Sequence, residues 1–153
     1  MTGQKGKAMG NDAALSPAQE ARIHQSFGAQ SMMATLGARL VGVERGQVRI
    51  EAPILPGSRQ QHGFAHAGLT FAIGDSAAGY AALSMMPEGH EVLTTEMKIH
   101  LLAPATGDLL VATGRVIRPG RRLVIVQADV HALKDGRESH VALMTGTMIP
   151  LAP

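Results

Sequence analysis

A long stretch of almost uncharged sequence is the feature that most constrains this chain. Between Arg59 and Glu88 lie 28 residues with a single formal charge, which is on Asp75. Small and apolar residues dominate from Ala67 to Met86, a span that suits a long helix. A carboxylate buried in such a helix loses its hydration. Its presence there therefore requires either a compensating contact or a function.

The composition indicates an ordered domain with a sizeable core. Of the 153 residues, 45% are hydrophobic and 17% are charged, which is typical of a globular protein and not of a disordered one. The length suits one domain. We predict a flexible N-terminal tail over residues 1–15 and a single domain over residues 16–153.

The same numbers exclude several classes of function. A formal charge of +2 and 3% aromatic residues favour neither a basic nucleic-acid face nor a base-stacking surface. The absence of cysteine excludes disulfides and thiolate chemistry. A membrane span over Ala67 to Met86 is disfavoured because Asp75 at its centre costs ~2.5–3.5 kcal/mol. With no apolar leader in the first 15 residues, we expect a cytoplasmic protein without nucleic-acid or membrane partners.

Capping and turn signals divide the rest of the chain into elements. Ser16 and Gln19 form a capping box for a helix from Pro17 to about Gln30. Alternation of apolar and polar residues predicts strands, and Gly46 marks a hairpin between the first two. Four further strands are predicted at residues 91–103, 108–118, 121–132 and 137–151. Their short connections predict antiparallel neighbours.

Together these elements predict an α+β fold, in which a curved antiparallel sheet of about six strands wraps around the long central helix. An N-terminal helix covers this body. Small residues along the central helix allow the sheet to approach closely, at a helix-propensity cost of about 1 kcal/mol for each interior glycine.

The surroundings predicted for Asp75 suggest chemistry. Its neighbours at helical spacing are small or apolar, so burial should raise the pKa of its carboxyl, as in general bases and nucleophiles. A structural carboxylate that bonds to a backbone group or an arginine is the alternative. The helix start offers the unpaired N–H groups of Ala67 and Gly68 to a developing negative charge. These groups lie about 12 Å along the axis from Asp75, so we predict a dimer with shared active sites.

The motif His66-Ala67-Gly68-x-x-Phe71-x-x-x-Asp75 carries a family resemblance. With Gly63 before it and Thr94 and Leu102-Ala103-Pro104-Ala105 after it, the motif resembles the hotdog-fold acyl-CoA thioesterases of the phenylacetate-pathway type, in the 4-hydroxybenzoyl-CoA thioesterase superfamily. The resemblance spans about residues 36–151. It implies the hotdog fold, hydrolysis of an acyl-CoA to a free acid and CoA without a cofactor, and a homodimer or homotetramer.

The resemblance also implies roles for individual residues. Asp75 falls at the position of the catalytic acid, which acts as general base or nucleophile. Ala67 stands where the family usually has a glycine whose backbone N–H polarises the thioester carbonyl. Gln60 matches a position that helps to hold the carbonyl or the attacking water. Thr94 matches one that orients water or the acid.

Several residues keep two interpretations. Histidines 62 and 66 lack the clustered carboxylates of a metal site, and His66 is predicted to hydrogen-bond at the helix start. Arg121 and Arg122 flank a hairpin turn that is either solvated or in contact with the phosphates of CoA. We take His66, Gly68, Arg121 and Arg122 as candidates for substrate binding.

Two other functions suit the same fold. One is a non-catalytic acyl-CoA sensor, which binds acyl-CoA without releasing thiol. The other is an enoyl-CoA hydratase or dehydratase, which would depend on His66. The sequence does not name the acyl group.

Overall fold

The structure, a computed structural model, describes residues 14–153. The predicted tail therefore lies largely outside the described residues, although Leu15 packs against the core. Within the described range there are three α-helices, one 3-10 turn and six strands. These are α1 Pro17–Gly28, α2 Ser31–Thr35, β1 Arg39–Glu44, β2 Gln47–Pro53, the 3-10 turn Pro56–Ser58, α3 Ala67–Leu83, β3 Glu91–Leu101, β4 Leu109–Pro119, β5 Val124–Lys134 and β6 Arg137–Leu151.

The predicted capping box starts α1. The hydroxyl of Ser16 accepts a hydrogen bond from the Gln19 N–H at 3.2 Å, and the Ser16 N–H donates to the Gln19 side chain at 3.1 Å. Ile23 on the inner face of the helix is 1% exposed. Local hydrogen bonds and one buried side chain thus position α1 on the body of the domain.

All six strands form one antiparallel sheet in the order β1-β2-β4-β5-β6-β3. The hairpin predicted at Gly46 is present, and the short connections predicted between the last three strands are tight turns at Pro119-Gly120 and Asp135-Gly136. Asp135 has a φ of 49° and Gly136 a φ of 74°, the left-handed backbone that a tight hairpin turn requires.

One predicted strand neighbour was wrong. Strand β3 does not lie beside β4, because it pairs with β6 along its whole length. The chain after β3 leaves the sheet at once: the Leu102 N–H bonds to the Val141 carbonyl, and the Ala105 carbonyl accepts from the Ala65 N–H. These bonds tie residues 102–105 to β6 and to the loop before α3. The chain then crosses the end of the sheet to begin β4.

Helix α3 lies in the concave face of the sheet and is buried along most of its length. The closest approach is at Gly114 of β4. A β-carbon at this position would lie 2.3–2.4 Å from backbone atoms of Ala77 and Ala78. The sheet therefore packs directly on the helix backbone, which glycine alone permits here.

The end of α3 is fixed by Ser84. Its hydroxyl donates to the Ala81 carbonyl at 2.6 Å and accepts from the Gly46 N–H in the β1–β2 turn at 2.7 Å. The helix therefore stops three residues short of Met86, the end of the span that the sequence suggested for it. Over residues 14–153, no helix is both long and apolar enough to cross a membrane.

We predict that Gly114→Ala destabilises the fold. The added methyl group would overlap the backbone of α3, so the free energy of unfolding should fall by at least about 2 kcal/mol. Urea unfolding followed by circular dichroism measures this. The matched control is Gly28→Ala at the end of α1, where a β-carbon meets nothing within 4 Å. Equal stability of the two variants would contradict the close helix–sheet contact.

Candidate active site

Asp75 is half-buried on α3 and is bound by a side chain from the edge strand. The Thr94 hydroxyl donates a hydrogen bond to Asp75 Oδ1 at 2.8 Å. Burial is the larger influence and raises the pKa of the Asp75 carboxyl above its usual value of 3.8, whereas the bond from Thr94 lowers it. The result is a desolvated carboxyl with one oxygen fixed in place, an arrangement that suits a base or a nucleophile.

A β-bulge helps to place Thr94. Thr94 pairs with Met148 and Glu96 pairs with Thr147, so Thr95 is an extra residue in β3. The Thr95 hydroxyl donates to the Thr147 carbonyl at 3.0 Å. Bulges turn side chains that a regular strand would direct elsewhere. Here the irregularity begins at the residue that binds Asp75.

Asp75 and Thr94 open into a cleft of about 240 Å³, called here the acid cleft. It lies between α3, the start of β3 and the junction of α1 and α2. Its lining is mostly polar and consists of Ser26, Gln30, Asp75, Ser76, Gly79, Tyr80, Glu91, Val92 and Thr94.

The start of α3 differs from the prediction in one respect. His66 is the N-cap, and its Nδ1 accepts a hydrogen bond from the Gly68 N–H at 2.8 Å. The predicted use of Gly68 as a donor to the substrate is therefore wrong in this structure, because its N–H is already engaged. The Ala67 N–H has no partner among residues 14–153. His66 is the hydrogen-bonding residue that the sequence predicted.

Ala67 faces a second cleft, of about 420 Å³, which we call the carbonyl cleft. Gln60 stands in its wall. The Gln60 N–H donates to the Phe64 carbonyl at 2.9 Å, and its side-chain oxygen accepts from the His62 N–H, so the side-chain NH₂ is left for other contacts. The cleft is lined mainly by apolar residues: Gln60, Phe64, Ala65, Ala67, Thr70, Leu101, Leu102, Ala103, Pro104, Ala105 and Val141.

The two clefts share no lining residue. The structure therefore brings Asp75 and Thr94 together, and brings Gln60 and Ala67 together, but keeps the two pairs apart. Asp75 lies eight positions after Ala67 on α3, which corresponds to a rise of about 12 Å along the helix. A single chain does not unite the acid with the N–H group at the helix start.

Arg121 and Arg122 are exposed in the turn between β4 and β5 and line neither cleft. The strand register nevertheless places the turn at the acid end of the sheet. Val124 pairs with Met148, which pairs in turn with Thr94. Within the described range, no group of three or more acidic or histidine side chains is arranged to hold a metal ion.

The sequence did not predict three polar residues of the acid cleft: Ser26, Gln30 and Tyr80. Tyr80 is 5% exposed, and its hydroxyl contacts both of the others. A signal was present in the helix predicted from Pro17 to about Gln30, where Ser26 and Gln30 continue the stripe of Ile23 and Phe27 at helical spacing. Polar residues on a buried helix stripe indicate a polar cavity.

The geometry agrees with comparisons to known proteins. Residues 62–139 match the family described as the thioesterase superfamily. The crystal structure of a thioesterase family protein from Silicibacter pomeroyi is 41% identical, with a TM-score of 0.87 over 88% of this chain and 99% of that one. The E. coli PaaI protein from the phenylacetic acid degradation operon has a TM-score of 0.79 at 22% identity, over 90% and 96% of the two chains. The second likeness concerns the fold alone.

A more distant relative carries a broader name. A Saccharolobus solfataricus protein named provisionally as an esterase is 26% identical over 94 residues. The match spans 61% of this chain and 66% of that relative. The curved six-stranded sheet around a long helix is the hotdog fold that the sequence predicted, and these likenesses confirm it.

The two influences on Asp75 give a measurable prediction. Thr94→Val removes the hydrogen bond that lowers the pKa of Asp75, so the pKa should rise further above 3.8. A titration of the Asp75 carboxyl ¹³C resonance by NMR measures the change without a substrate. Thr95→Val is the control, because its hydroxyl binds a backbone carbonyl of β6 instead. An unchanged pKa in Thr94→Val would contradict the role of this bond.

Proposed function

Since the chain belongs to the thioesterase superfamily, we propose that it hydrolyses an acyl-CoA thioester to a free acid and CoA, with Asp75 as the catalytic carboxylate. The observation that carries the proposal is the half-buried Asp75, bound by Thr94 at 2.8 Å beside an open cleft. Thioester hydrolysis is the general activity of the family. CoA as the thiol and the roles of individual residues are the proposed part.

The chemistry follows from the raised pKa of Asp75. A carboxylate with a raised pKa is a stronger base than a solvated one. It takes a proton from water as the water oxygen bonds to the carbonyl carbon. The resulting tetrahedral oxyanion collapses, the carbon–sulfur bond breaks, and the CoA thiolate leaves and is protonated. Direct attack by Asp75 on the carbonyl carbon is the alternative, through an anhydride that water then cleaves.

The oxyanion needs hydrogen-bond donors, and the carbonyl cleft supplies them. The Ala67 N–H lies at the first position of α3, where the helix dipole favours negative charge. Gln60 lines the same cleft, and its side-chain NH₂ group is the second proposed donor. Removing one donor of this kind typically costs about 10²–10³ in kcat. The apolar wall of this cleft suits the pantetheine arm of CoA.

We further propose that the active site is completed by a second copy of the chain. Strand β3 is an edge of the sheet, and its outer edge is unpaired over its 11 residues in the described chain. An open edge of this length is a template for another strand. Pairing of two β3 edges brings Asp75 of one chain towards Ala67 of the other. Phe71, which is 37% exposed between the two clefts, would be covered by this contact.

The β4–β5 turn is the proposed contact for the phosphates of CoA. Arg121 and Arg122 are exposed at the acid end of the sheet and form no ion pair among the described residues. Guanidinium groups bind phosphate with two parallel hydrogen bonds. The partner subunit contains the same turn with the same two arginines. A dimer therefore has one such turn for each of its two active sites.

Loss of the carboxylate tests the chemistry. We predict that Asp75→Asn lowers kcat by at least about 10² for any acyl-CoA that the wild type hydrolyses, because the general base is lost. A thiol-release assay over aryl-, short- and medium-chain acyl-CoAs measures this. The control is Asp135→Asn in the β5–β6 turn, where asparagine tolerates the left-handed backbone. Unchanged turnover in Asp75→Asn, or acyl-CoA binding without thiol release in the wild type, would contradict hydrolysis by Asp75.

Removal of a single backbone N–H group tests whether Ala67 donates a hydrogen bond to the oxyanion. Ala67 is the first residue of α3, a position at which proline is well tolerated, and His66 before it already has an extended ψ of 141°. We predict that Ala67→Pro removes the donor, keeps the helix and lowers kcat by about 10²–10³. Ala67→Gly retains the N–H and should retain activity.

Mixing the two inactive variants tests the shared site. A heterodimer of Asp75→Asn with Ala67→Pro contains one site with both an intact acid and an intact N–H. Random reassortment after mild denaturation and refolding should therefore restore about a quarter of the wild-type activity per chain, since half of the dimers are mixed. The unmixed variants treated in the same way are the controls. A mixture that stays inactive would contradict a site shared between subunits.

A further inference from the structure

A polar cluster around the buried side chain of Tyr80 lines the acid cleft, and the proposed hydrolysis makes no use of it. The Tyr80 hydroxyl accepts a hydrogen bond from Gln30 Nε2 at 2.6 Å and lies 3.1 Å from Ser26 Oγ. The three side chains come from α3, the N-cap of α2 and the last turn of α1. We call them the Tyr80 cluster.

The cluster has more donors than it uses. The NH₂ group of Gln30 has two hydrogens, and the hydroxyls of Ser26 and Tyr80 have one each. Two hydrogen bonds join the three side chains, which leaves two polar hydrogens without a partner among residues 14–153. Because all three residues line the acid cleft, these donors are available to an acceptor oxygen within it.

The size of the acid cleft suits a short acyl group. Tyr80 and Asp75 lie five positions apart on α3, and both line this cleft. The cleft volume of about 240 Å³ exceeds the roughly 150 Å³ of a cavity that holds benzene. It is smaller than the roughly 300–1,000 Å³ of sites for whole drug-sized ligands. The acid cleft thus fits an acyl group and not the entire thioester.

The charges around the cleft exclude a second carboxylate. Asp75 and Glu91 both line it. The nearby cation, Arg22, is already bound to Glu91 at 2.9 Å and to the His90 carbonyl. An acyl group with a carboxylate end would meet the like charges of Asp75 and Glu91, and no cation is among the residues that line the cleft. A neutral oxygen would meet the donors of the Tyr80 cluster.

We propose that Tyr80, Gln30 and Ser26 make the enzyme selective for acyl-CoA esters whose short acyl group ends in a neutral hydrogen-bonding oxygen, such as a hydroxyl. This inference rests on the proposed function. A plain alkyl chain in the same cleft would separate the donors from water without giving them a hydrogen-bond partner. The lost hydration of these donors would weaken binding. Sites that bind a substrate hydroxyl discriminate strongly against analogues that lack one.

A matched pair of substrates tests the selectivity. In 6-hydroxyhexanoyl-CoA and heptanoyl-CoA, a hydroxyl and a methyl group occupy the same position on chains of equal length. We expect kcat/KM to favour the hydroxylated substrate by about tenfold or more. Hexanedioyl-CoA, with a carboxylate end, should be the poorest of the three. Equal values for the matched pair, or a preference for the carboxylate, would overturn the inference.

Two variants test whether the Tyr80 cluster causes the preference for the hydroxylated substrate. Tyr80→Phe removes the central hydroxyl, and Gln30→Met removes an amide that makes no cap bond to α2. Each should reduce the ratio of the two kcat/KM values by about fivefold or more, an effect that a general loss of folded enzyme does not produce. Phe27→Leu is the control, because this ring packs against Tyr80 at 6.1 Å but does not line the cleft. A ratio that persists in both variants would overturn the assignment.

Non-hydrolysable thioethers separate this inference from the proposed function. Calorimetry compares the binding of S-(6-hydroxyhexyl)-CoA and S-heptyl-CoA to the wild type and to Tyr80→Phe. A hydroxyl preference that Tyr80→Phe removes supports the cluster even if no thioester is hydrolysed, a result that would contradict only the proposed reaction. Hydrolysis without any hydroxyl preference would contradict only the selectivity. If the protein neither hydrolyses the thioesters nor prefers the hydroxylated ligand, both the proposed function and the proposed selectivity are overturned.

Discussion

The contact between the backbone of α3 and strand β4 at Gly114 is the constraint on which the rest of the structure depends. With no side chain between them, the sheet curves around the helix, and the small residues of α3 such as Ala77 and Ala78 become fully buried. A helix held this closely has little freedom to rotate or slide. The position of Asp75, two residues before this contact, is therefore determined by packing that has no part in the chemistry.

The same packing determines the state of the acid. Burial raises the pKa of Asp75, so the folded chain holds this proton more strongly than the unfolded chain does. The ionised carboxyl thus destabilises the fold at any pH above its folded-state pKa, and this cost disappears below the ordinary value of 3.8. The hydrogen bond from the Thr94 hydroxyl to Asp75 Oδ1 reduces this cost. Thr94 makes no bond to the other carboxylate oxygen, Oδ2. The domain therefore retains a partly buried carboxyl group at the expense of stability.

Local signals predicted most of the fold, since capping boxes, tight turns and alternation are encoded by neighbouring residues. The pairing of β3 with β6 was missed because its paired residues, from Leu101 with Ala142 to Glu91 with Leu151, lie 41 to 60 positions apart, and turn signals carry no information at that range. In the site, spacing and resemblance selected Asp75 as the candidate acid. They did not reveal that His66 engages Gly68, which depends on a single side-chain rotamer. The Tyr80 cluster was missed because its members meet only in the folded chain.

The pairing of β3 with β6 also has a consequence for biosynthesis. Residues 91–101 leave the ribosome long before residues 137–151, the strand that covers one side of them. During that interval β3 has no sheet to join, and α3 has only part of the curved surface that later buries it. Contacts between such distant segments slow folding and prolong the exposure of apolar sequence. Until its last strand has emerged, the nascent domain therefore exposes apolar surface that the finished sheet and helix bury.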